Sequence, residues 1–222
     1  MLRAIIFDLD GVLVKFSLDS RKIKEEVVEF LERNGVPHGV LGVTMPFSKI
    51  RETAAEQLRM TGRGEAEIRG LMAEAEEILI RHEMDAALKA DLLPNVKEAL
   101  EKIASHGIRL GLFTYNNSRA ADLALRKNGI EKFFSAVVAR DSVERAKPNP
   151  IHLRTVIDRL GVAREEAIVV GDSEMDIKPS KELGVRVIGI TTGIKTAEEL
   201  EAYGPDFIVD DIRKVLEIAG IR

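Results

Sequence analysis

The sequence predicts an α/β protein: a Rossmann-like, doubly wound parallel sheet core with a helical cap domain inserted after its first strand. Three observations predict it. Short apolar, β-branched runs recur through the second half of the chain, helical patterns separate them, and the stretch between the first and second runs holds helices only.

Ala4-Ile5-Ile6-Phe7 is short, continuous and apolar, as a strand buried on both faces of a parallel sheet requires. From about Lys15 to Asp91 no convincing strand occurs. Amphipathic helices are expected there over Ser20–Asn34, Ser48–Met60 and Glu65–Glu83. The alternation resumes near Leu92-Leu93-Pro94, so residues 1–14 and 92–222 form the core and 15–91 the cap. A domain joined by two chain crossings, here near Val14–Ser17 and Ala90–Pro94, can hinge over the mouth of the sheet as a lid.

Strands are then expected at Leu110–Phe113, Ala136–Ala139, Ala167–Val170, Val187–Ile190 and Phe207–Val209. Helices are expected at Asn95–Ser105, Ser118–Asn128, Pro150–Leu160, Ile177–Leu183 and Ala197–Tyr203. Gly107, Gly129, Gly161 and Gly184 stand where left-handed C-terminal caps would end several of them.

Composition narrows the function. With 222 residues, 45% of them hydrophobic, the chain can bury a core and still carry a second small domain. A net charge of -4 gives no electrostatic case for nucleic acid. No apolar stretch approaches a membrane span and no leader precedes the first strand, so a soluble, cytoplasmic protein is expected. Zero Cys removes disulfides, thiol catalysis and Cys-ligated zinc. Sparse Gln, no Trp and 32% charged residues lean towards a thermophilic source. Nothing marks an interface, so monomer and homodimer are both open.

The most informative feature is the acidic doublet Asp8-x-Asp10, directly after the first strand. Two carboxylates at the C-terminal end of a buried strand are costly unless a cation meets them, and in open α/β sheets that end is where ligands bind. Three later strand ends carry further polar residues: Thr114-Tyr115-Asn116-Asn117-Ser118, a loop with Lys147-Pro148, and Gly171-Asp172-Ser173-Glu174-Met175-Asp176. Taken singly, each could be a turn, a helix cap or a solvated charge. As an ordered set of acid, hydroxyl, cation and acid they fit phosphoryl transfer.

In that chemistry Asp8 attacks phosphorus and Asp10 protonates the leaving oxygen, then deprotonates the hydrolytic water. Lys147 supplies fixed positive charge. Thr114, with neighbouring Tyr115 and Asn116, holds phosphoryl oxygens, and a helix starting near Ser118 would add its dipole. So many carboxylates beside one Lys require a metal, and Mg²⁺ suits an all-oxygen site. Asp8 and Asp172 are the expected ligands, while Asp176, one helical turn on, would orient a metal-bound water. Arg51, near the start of the second cap helix, could hold an anionic substrate tail, although a solvated helix face is the reading favoured. His38, His82, His106 and His152 show no ligand spacing and read as surface or structural.

These residues resemble the haloacid dehalogenase superfamily of phosphohydrolases over nearly the whole chain. Asp8-Leu9-Asp10-Gly11-Val12-Leu13 is similar to its first motif, Thr114 to its second, Lys147-Pro148 to its third, and Gly171 to Asp176 to its fourth. The helical insert resembles the family's α-helical cap and the branch of phosphoglycolate phosphatase and β-phosphoglucomutase. The resemblance implies Asp8 as nucleophile, Asp10 as acid/base, and the Asp10 backbone carbonyl in the Mg²⁺ shell. It also implies a small phosphorylated metabolite as substrate. Where many relatives place a short polar pair after the first motif, this chain has Lys15-Phe16, and Tyr115 is bulky beside Thr114. A phosphosugar mutase is the alternative within the family, though no His appears before His38 to support it. A phosphate-ligand sensor is the non-enzymatic alternative.

Overall fold

A computed structural model describes residues 1–15 and 18–221 of the chain; Phe16, the second half of the hinge pair, lies outside the described residues. The chain divides into two compact units, Met1–Ser17 with Ala87–Arg222 and Leu18–Ala86.

The first strand, β1 (Ala4–Phe7), is buried along its whole length. Helices follow at α1 (Ser20–Arg33), α2 (Phe47–Met60) and α3 (Glu65–Lys89). Asp19 caps α1 by accepting from the Lys22 amide at 3.0 Å. Ile23, Val27 and Leu31 of α1, and Ile50, Ala54 and Leu58 of α2, are buried at four-residue spacing, the stripe an amphipathic helix presents to a core. All of these but Ile23 pack with Ile68, Leu71, Met72 and Ala75 of α3, so the helical unit has a hydrophobic core of its own. The third helix outruns the expected end at Glu83 because Met84 to Lys89 are mostly strong helix formers, and no glycine or proline intervenes before Pro94.

The sheet unit continues with α4 (Val96–Ser105), β2 (Arg109–Phe113), α5 (Ser118–Lys127) and β3 (Phe134–Val138). Next come α6 (Pro150–Leu160), β4 (Ala167–Gly171), α7 (Glu174–Leu183) and β5 (Arg186–Ile190). The chain closes with α8 (Ala197–Glu201), β6 (Phe207–Val209) and α9 (Ile212–Ile218). Most bounds fall within a residue or two of the sequence reading, and two starts move by more than one residue. β3 begins at Phe134 rather than Ala136, and α7 begins at Glu174 rather than Ile177. α9, a short final helix capped by Asp211 on the Arg213 amide at 2.8 Å, was not expected.

The six strands form one parallel sheet in the order β3-β2-β1-β4-β5-β6. The chain builds outward from β1 to β3, then crosses back to start the second half at β4. This makes the β1/β4 seam the topological switch point, where open α/β sheets bind ligands. Register aligns the strand ends there: Phe7 is level with Leu112 on one side and Val170 on the other. Asp8 is therefore level with Phe113 and Gly171, and Thr114 and Asp172 stand one residue further out.

On one face, Ala4, Ile6, Val138 and Val169 pack with Leu153, Val156 and Leu160 of α6 and Ile177 of α7. The chain leaves for and returns from the insert as a paired ribbon. The Lys15 amide donates to the Asp91 carbonyl at 3.0 Å and the Leu93 amide to the Leu13 carbonyl at 2.9 Å. The Lys127 ammonium and the Asn128 amide, at the end of α5, both hold the Ala90 carbonyl, at 2.7 and 3.0 Å.

Gly111 lets α6 approach the sheet: a Cβ there would lie 2.8 Å from Val156 and 2.9 Å from Leu160. Overpacking of this kind typically costs about 1–3 kcal/mol. Gly111→Val is expected to lower Tm by about 2–4 °C for each kcal/mol lost; a variant that melts with the wild type would show that the α6 contact gives way freely.

Candidate active site

The apolar β1 run carries Asp8 to the edge of the sheet, where its amide donates to the Val170 carbonyl at 3.0 Å. Asp8 Oδ1 accepts from the Leu9 amide at 2.7 Å and from the Lys147 ammonium at 2.8 Å. Immediately beyond, the chain turns tightly, with the Leu13 and Val14 amides both donating to the Leu9 carbonyl. Gly11, at φ 75°, makes that turn and leaves room for Asp172, whose Oδ2 would lie 2.5 Å from a Cβ at this position.

Lys147 is buried, and its ammonium bridges Asp8 Oδ1 and Asp176 Oδ1, the latter at 2.5 Å. It also lies 4.0 Å from the centre of the Phe113 ring, at the end of β2. Its backbone is fixed by His152 of α6, which is wholly buried. His152 Nδ1 accepts from the Lys147 amide at 3.1 Å while Nε2 donates to the Val138 carbonyl at 2.9 Å. Its ring meets Phe113 edge-on at 5.4 Å. Acceptance at Nδ1 requires neutral imidazole, and burial pushes the His152 pKa down to about 4, helped by the nearby Lys147 charge.

After β4, Asp172 Oδ2 accepts from the Ile194 amide at 3.1 Å. That amide belongs to the loop after β5, where Gly193 is obligatory: a Cβ there would lie 1.8 Å from Asp172 Oδ2. The same loop ties to the turn after the first strand through the Thr192 hydroxyl, which donates to the Gly11 carbonyl at 2.6 Å. Asp176, in the first turn of α7, is fully buried. Its Oδ1 faces Lys147 and its Oδ2 accepts from the Ser173 hydroxyl at 3.0 Å. Gly171 clears the space for it.

After β2, Thr114 is buried, and its Oγ1 accepts from the Asn116 amide at 3.1 Å, which closes the loop and leaves the hydroxyl hydrogen to donate elsewhere. The Asn116 side chain donates to Asp10 Oδ2 at 2.6 Å. The expected dipole of α5 is already answered within the protein. The Ser118 amide is taken by Asp141 at 2.9 Å and the Arg119 amide by Asn117 at 3.0 Å.

The electrostatics of this cluster are unbalanced. Asp8, Asp172 and Asp176 can each bring an oxygen within 4.8 Å of the others', and all three are buried. Burial raises the Asp8 carboxyl to about 7; Lys147 opposes the rise, and Asp176 and Asp172 add to it. Burial, together with Asp176, raises Asp172 to about 6. For Lys147, burial pulls the ammonium down, but Asp176 and Asp8 outweigh it and hold its pKa above the ordinary lysine value, so it stays charged. Among the described residues, Asp8 Oδ2 and Asp172 Oδ1 accept no hydrogen bond, whereas both oxygens of Asp176 are engaged. An all-carboxylate set with two uncommitted oxygens fits a hard divalent cation held by Asp8 and Asp172.

The structure thus gathers Asp8, Lys147, Asp172 and Asp176 into one cluster and pairs Asp10 with Asn116. Thr114 closes the loop that carries Asn116. Tyr115 is half-buried, and its carbonyl accepts from the Arg140 guanidinium at 2.8 Å. Arg51 belongs to the helical unit, where its guanidinium is paired with Glu76 at 3.0 Å. Sequence reasoning did not assign His152, Arg140, Asp141 or the Thr192–Ile194 loop to the site. Only the Thr-Thr-Gly turn after β5 carried a local signal.

The family profile of haloacid dehalogenase-like hydrolases matches residues 5–190. Pyrophosphatase PpaX of Oceanobacillus iheyensis is 28% identical over 229 residues, covering 99% of this chain and 97% of that protein. A phosphoglycolate phosphatase of Vibrio parahaemolyticus is 34% identical over 130 residues, covering 59% of this chain and 57% of its own. Among solved structures, a candidate β-phosphoglucomutase of Thermotoga maritima superposes with a TM-score of 0.64 at 26% identity, over 97% of this chain and 99% of that one. A candidate phosphoglycolate phosphatase of Haemophilus somnus gives 0.67 at 24% identity, over 98% of both chains, a likeness of fold alone.

The raised carboxyls set a pH dependence. In the folded protein Asp8 and Asp172 keep protons that an unfolded chain gives up above about pH 4, so with metal chelated their contribution to stability is lost as pH rises through about 6 and 7. Asp8→Asn removes the larger part of this. In EDTA, the stability of the variant relative to wild type is expected to grow from about pH 4 to about pH 8, by at least ~1 kcal/mol or 2–4 °C in Tm. A gap that narrows as pH rises would contradict the assignment.

Proposed function

The chain belongs to the haloacid dehalogenase-like hydrolases, and we propose that it is a Mg²⁺-dependent phosphatase of a small phosphorylated metabolite. The observation that carries this reading is the buried Asp8–Lys147–Asp176 bridge with Asp172 beside it, at the switch point of the sheet. Such a site has a carboxylate to attack phosphorus and a fixed cation to meet the charge that develops on the phosphoryl oxygens.

In the proposed reaction, Asp8 attacks phosphorus as the bond to the leaving oxygen breaks, and Asp10 gives its proton to that oxygen. The alcohol departs and the phosphoryl group is left on Asp8. Water then attacks the same phosphorus and returns a proton to Asp10. The Asp8–phosphorus bond breaks, releasing inorganic phosphate. Lys147 and the Thr114 hydroxyl hold the phosphoryl oxygens, and Tyr115 lines the loop that carries Thr114. Asp8, Asp172 and the Asp10 backbone carbonyl would hold Mg²⁺, with Asp176 orienting its shell, and the ion would neutralise charge on the phosphate.

The helical unit, Leu18–Ala86, is proposed as a lid that excludes water and sets substrate choice. Arg51 remains proposed for an anionic substrate tail, for which it would have to leave Glu76. Relatives named for pyrophosphate and phosphoglycolate both support a small, strongly anionic substrate. The likeness to a candidate β-phosphoglucomutase keeps a phosphosugar mutase as the second reading, since it would use the same core chemistry.

Hydrolysis of p-nitrophenyl phosphate tests this reading. Turnover is expected with Mg²⁺, none in EDTA and none in Asp8→Asn, and Lys147→Ala should cost about 10²–10³-fold in kcat. Turnover that survives Asp8→Asn would contradict the mechanism, and phosphosugar isomerisation without net hydrolysis would favour the mutase.

A further inference from the structure

We propose that Asn116 is a positioning residue for the acid/base Asp10, held in place by Arg140 and Asp141, and not a ligand of the phosphate. The inference rests on the reading of Asp10 as acid/base given above. Its starting point is the 2.6 Å bond from the Asn116 amide to Asp10 Oδ2, between residues 106 apart in sequence. An N–H donor on Oδ2 marks that oxygen as an acceptor, so the proton Asp10 carries as an acid is directed to Oδ1. Asn116 thereby selects which oxygen of Asp10 delivers the proton.

Asn116 is itself fixed. It is buried, and its own amide donates to Thr114 Oγ1 at 3.1 Å. Its carbonyl accepts from the Arg140 amide at 3.0 Å. On one side of it the Arg140 guanidinium donates to the Tyr115 carbonyl at 2.8 Å and lies 5.3 Å from the Tyr115 ring centre. On the other side Asp141 accepts from the Asn117 side chain at 3.0 Å and from the Ser118 amide and hydroxyl at 2.9 and 2.7 Å. Arg140 and Asp141 lie one residue beyond β3, so two adjacent residues grip every position from Tyr115 to Ser118. A grip of this kind places the Asn116 side chain against Asp10 without using any group that must meet the phosphoryl oxygens.

Leaving-group dependence separates this role from a structural one. p-Nitrophenolate departs from phosphorus with little help, whereas the more basic phenolate of phenyl phosphate needs a proton from the acid. In Asn116→Ala, kcat for phenyl phosphate is expected to fall about 10-fold or more, within the range that general acid catalysis supplies. The fall for p-nitrophenyl phosphate should be several-fold smaller, and inhibition by inorganic phosphate should be unchanged. Arg140→Ala should shift the two substrates in the same unequal way, to a smaller extent. Equal losses on both substrates, or weaker inhibition by inorganic phosphate, would overturn the proposal in favour of a phosphate ligand or a purely structural residue. Asp10→Asn is the control. If it too shows no leaving-group dependence, the acid role of Asp10 has failed. If it does and Asn116→Ala does not, the failure belongs to Asn116.

Discussion

The structure depends on an excess of buried negative charge at the seam between β1 and β4. Three carboxylates, Asp8, Asp172 and Asp176, converge on a single ammonium, that of Lys147. Like charges a few ångströms apart repel by several kcal/mol even at a generous effective dielectric. The fold resists this by letting Asp8 and Asp172 hold their protons more tightly than free carboxylates do. A site that is uncomfortable alone is a site that gains from a cation and a reacting phosphate, since both redistribute the charge it cannot neutralise itself.

Much of the surrounding architecture holds this imbalance in place. Glycines at 11, 171 and 193 open the space that the carboxylates occupy, each at a point where a methyl group would collide with Asp172 or Asp176. His152 is kept neutral so that it can join the Lys147 backbone to the end of β3, which sets the ammonium over the Phe113 ring. These supports lie at strand ends, in the short loops beyond them and on α6, so the charged groups are placed by rigid elements and by short loops between them. The helical unit has its own apolar core, as an independently built insert requires.

Asp8, Thr114 and Asp172 were legible because each follows an apolar strand. Buried runs at Ala4–Phe7, Leu110–Phe113 and Ala167–Val170 identify strands without help from partners, and the polar residue after each inherits the strand's position. Lys147 was legible only within the ordered set and the family resemblance, since alone it reads as a solvated charge. What supports these residues was hidden, because each support is a contact between distant parts of the chain. His152 reads as an ordinary helix residue until Val138 and Lys147 are brought to it. The Ile194 amide acquires a role only when β5 lies beside β4. The sequence also led to one misplaced expectation, that the α5 dipole would serve the phosphate; Asp141, 23 residues downstream, takes the Ser118 amide first. The end of α3 escaped notice because no glycine or proline stops the helix there, and α9 because seven residues are too few for a helical period to stand out.

In the proposed reaction the carboxylate of Asp8 carries the phosphoryl group. Acid quenching of the Mg²⁺-loaded protein during turnover of a ³²P-labelled phosphomonoester, followed by peptide mapping, tests it most directly. An alkali-labile acyl phosphate is expected on the peptide containing Asp8, formed and lost at rates that match turnover. Label on another residue, or steady turnover with no phosphoenzyme even under rapid quench, would contradict it.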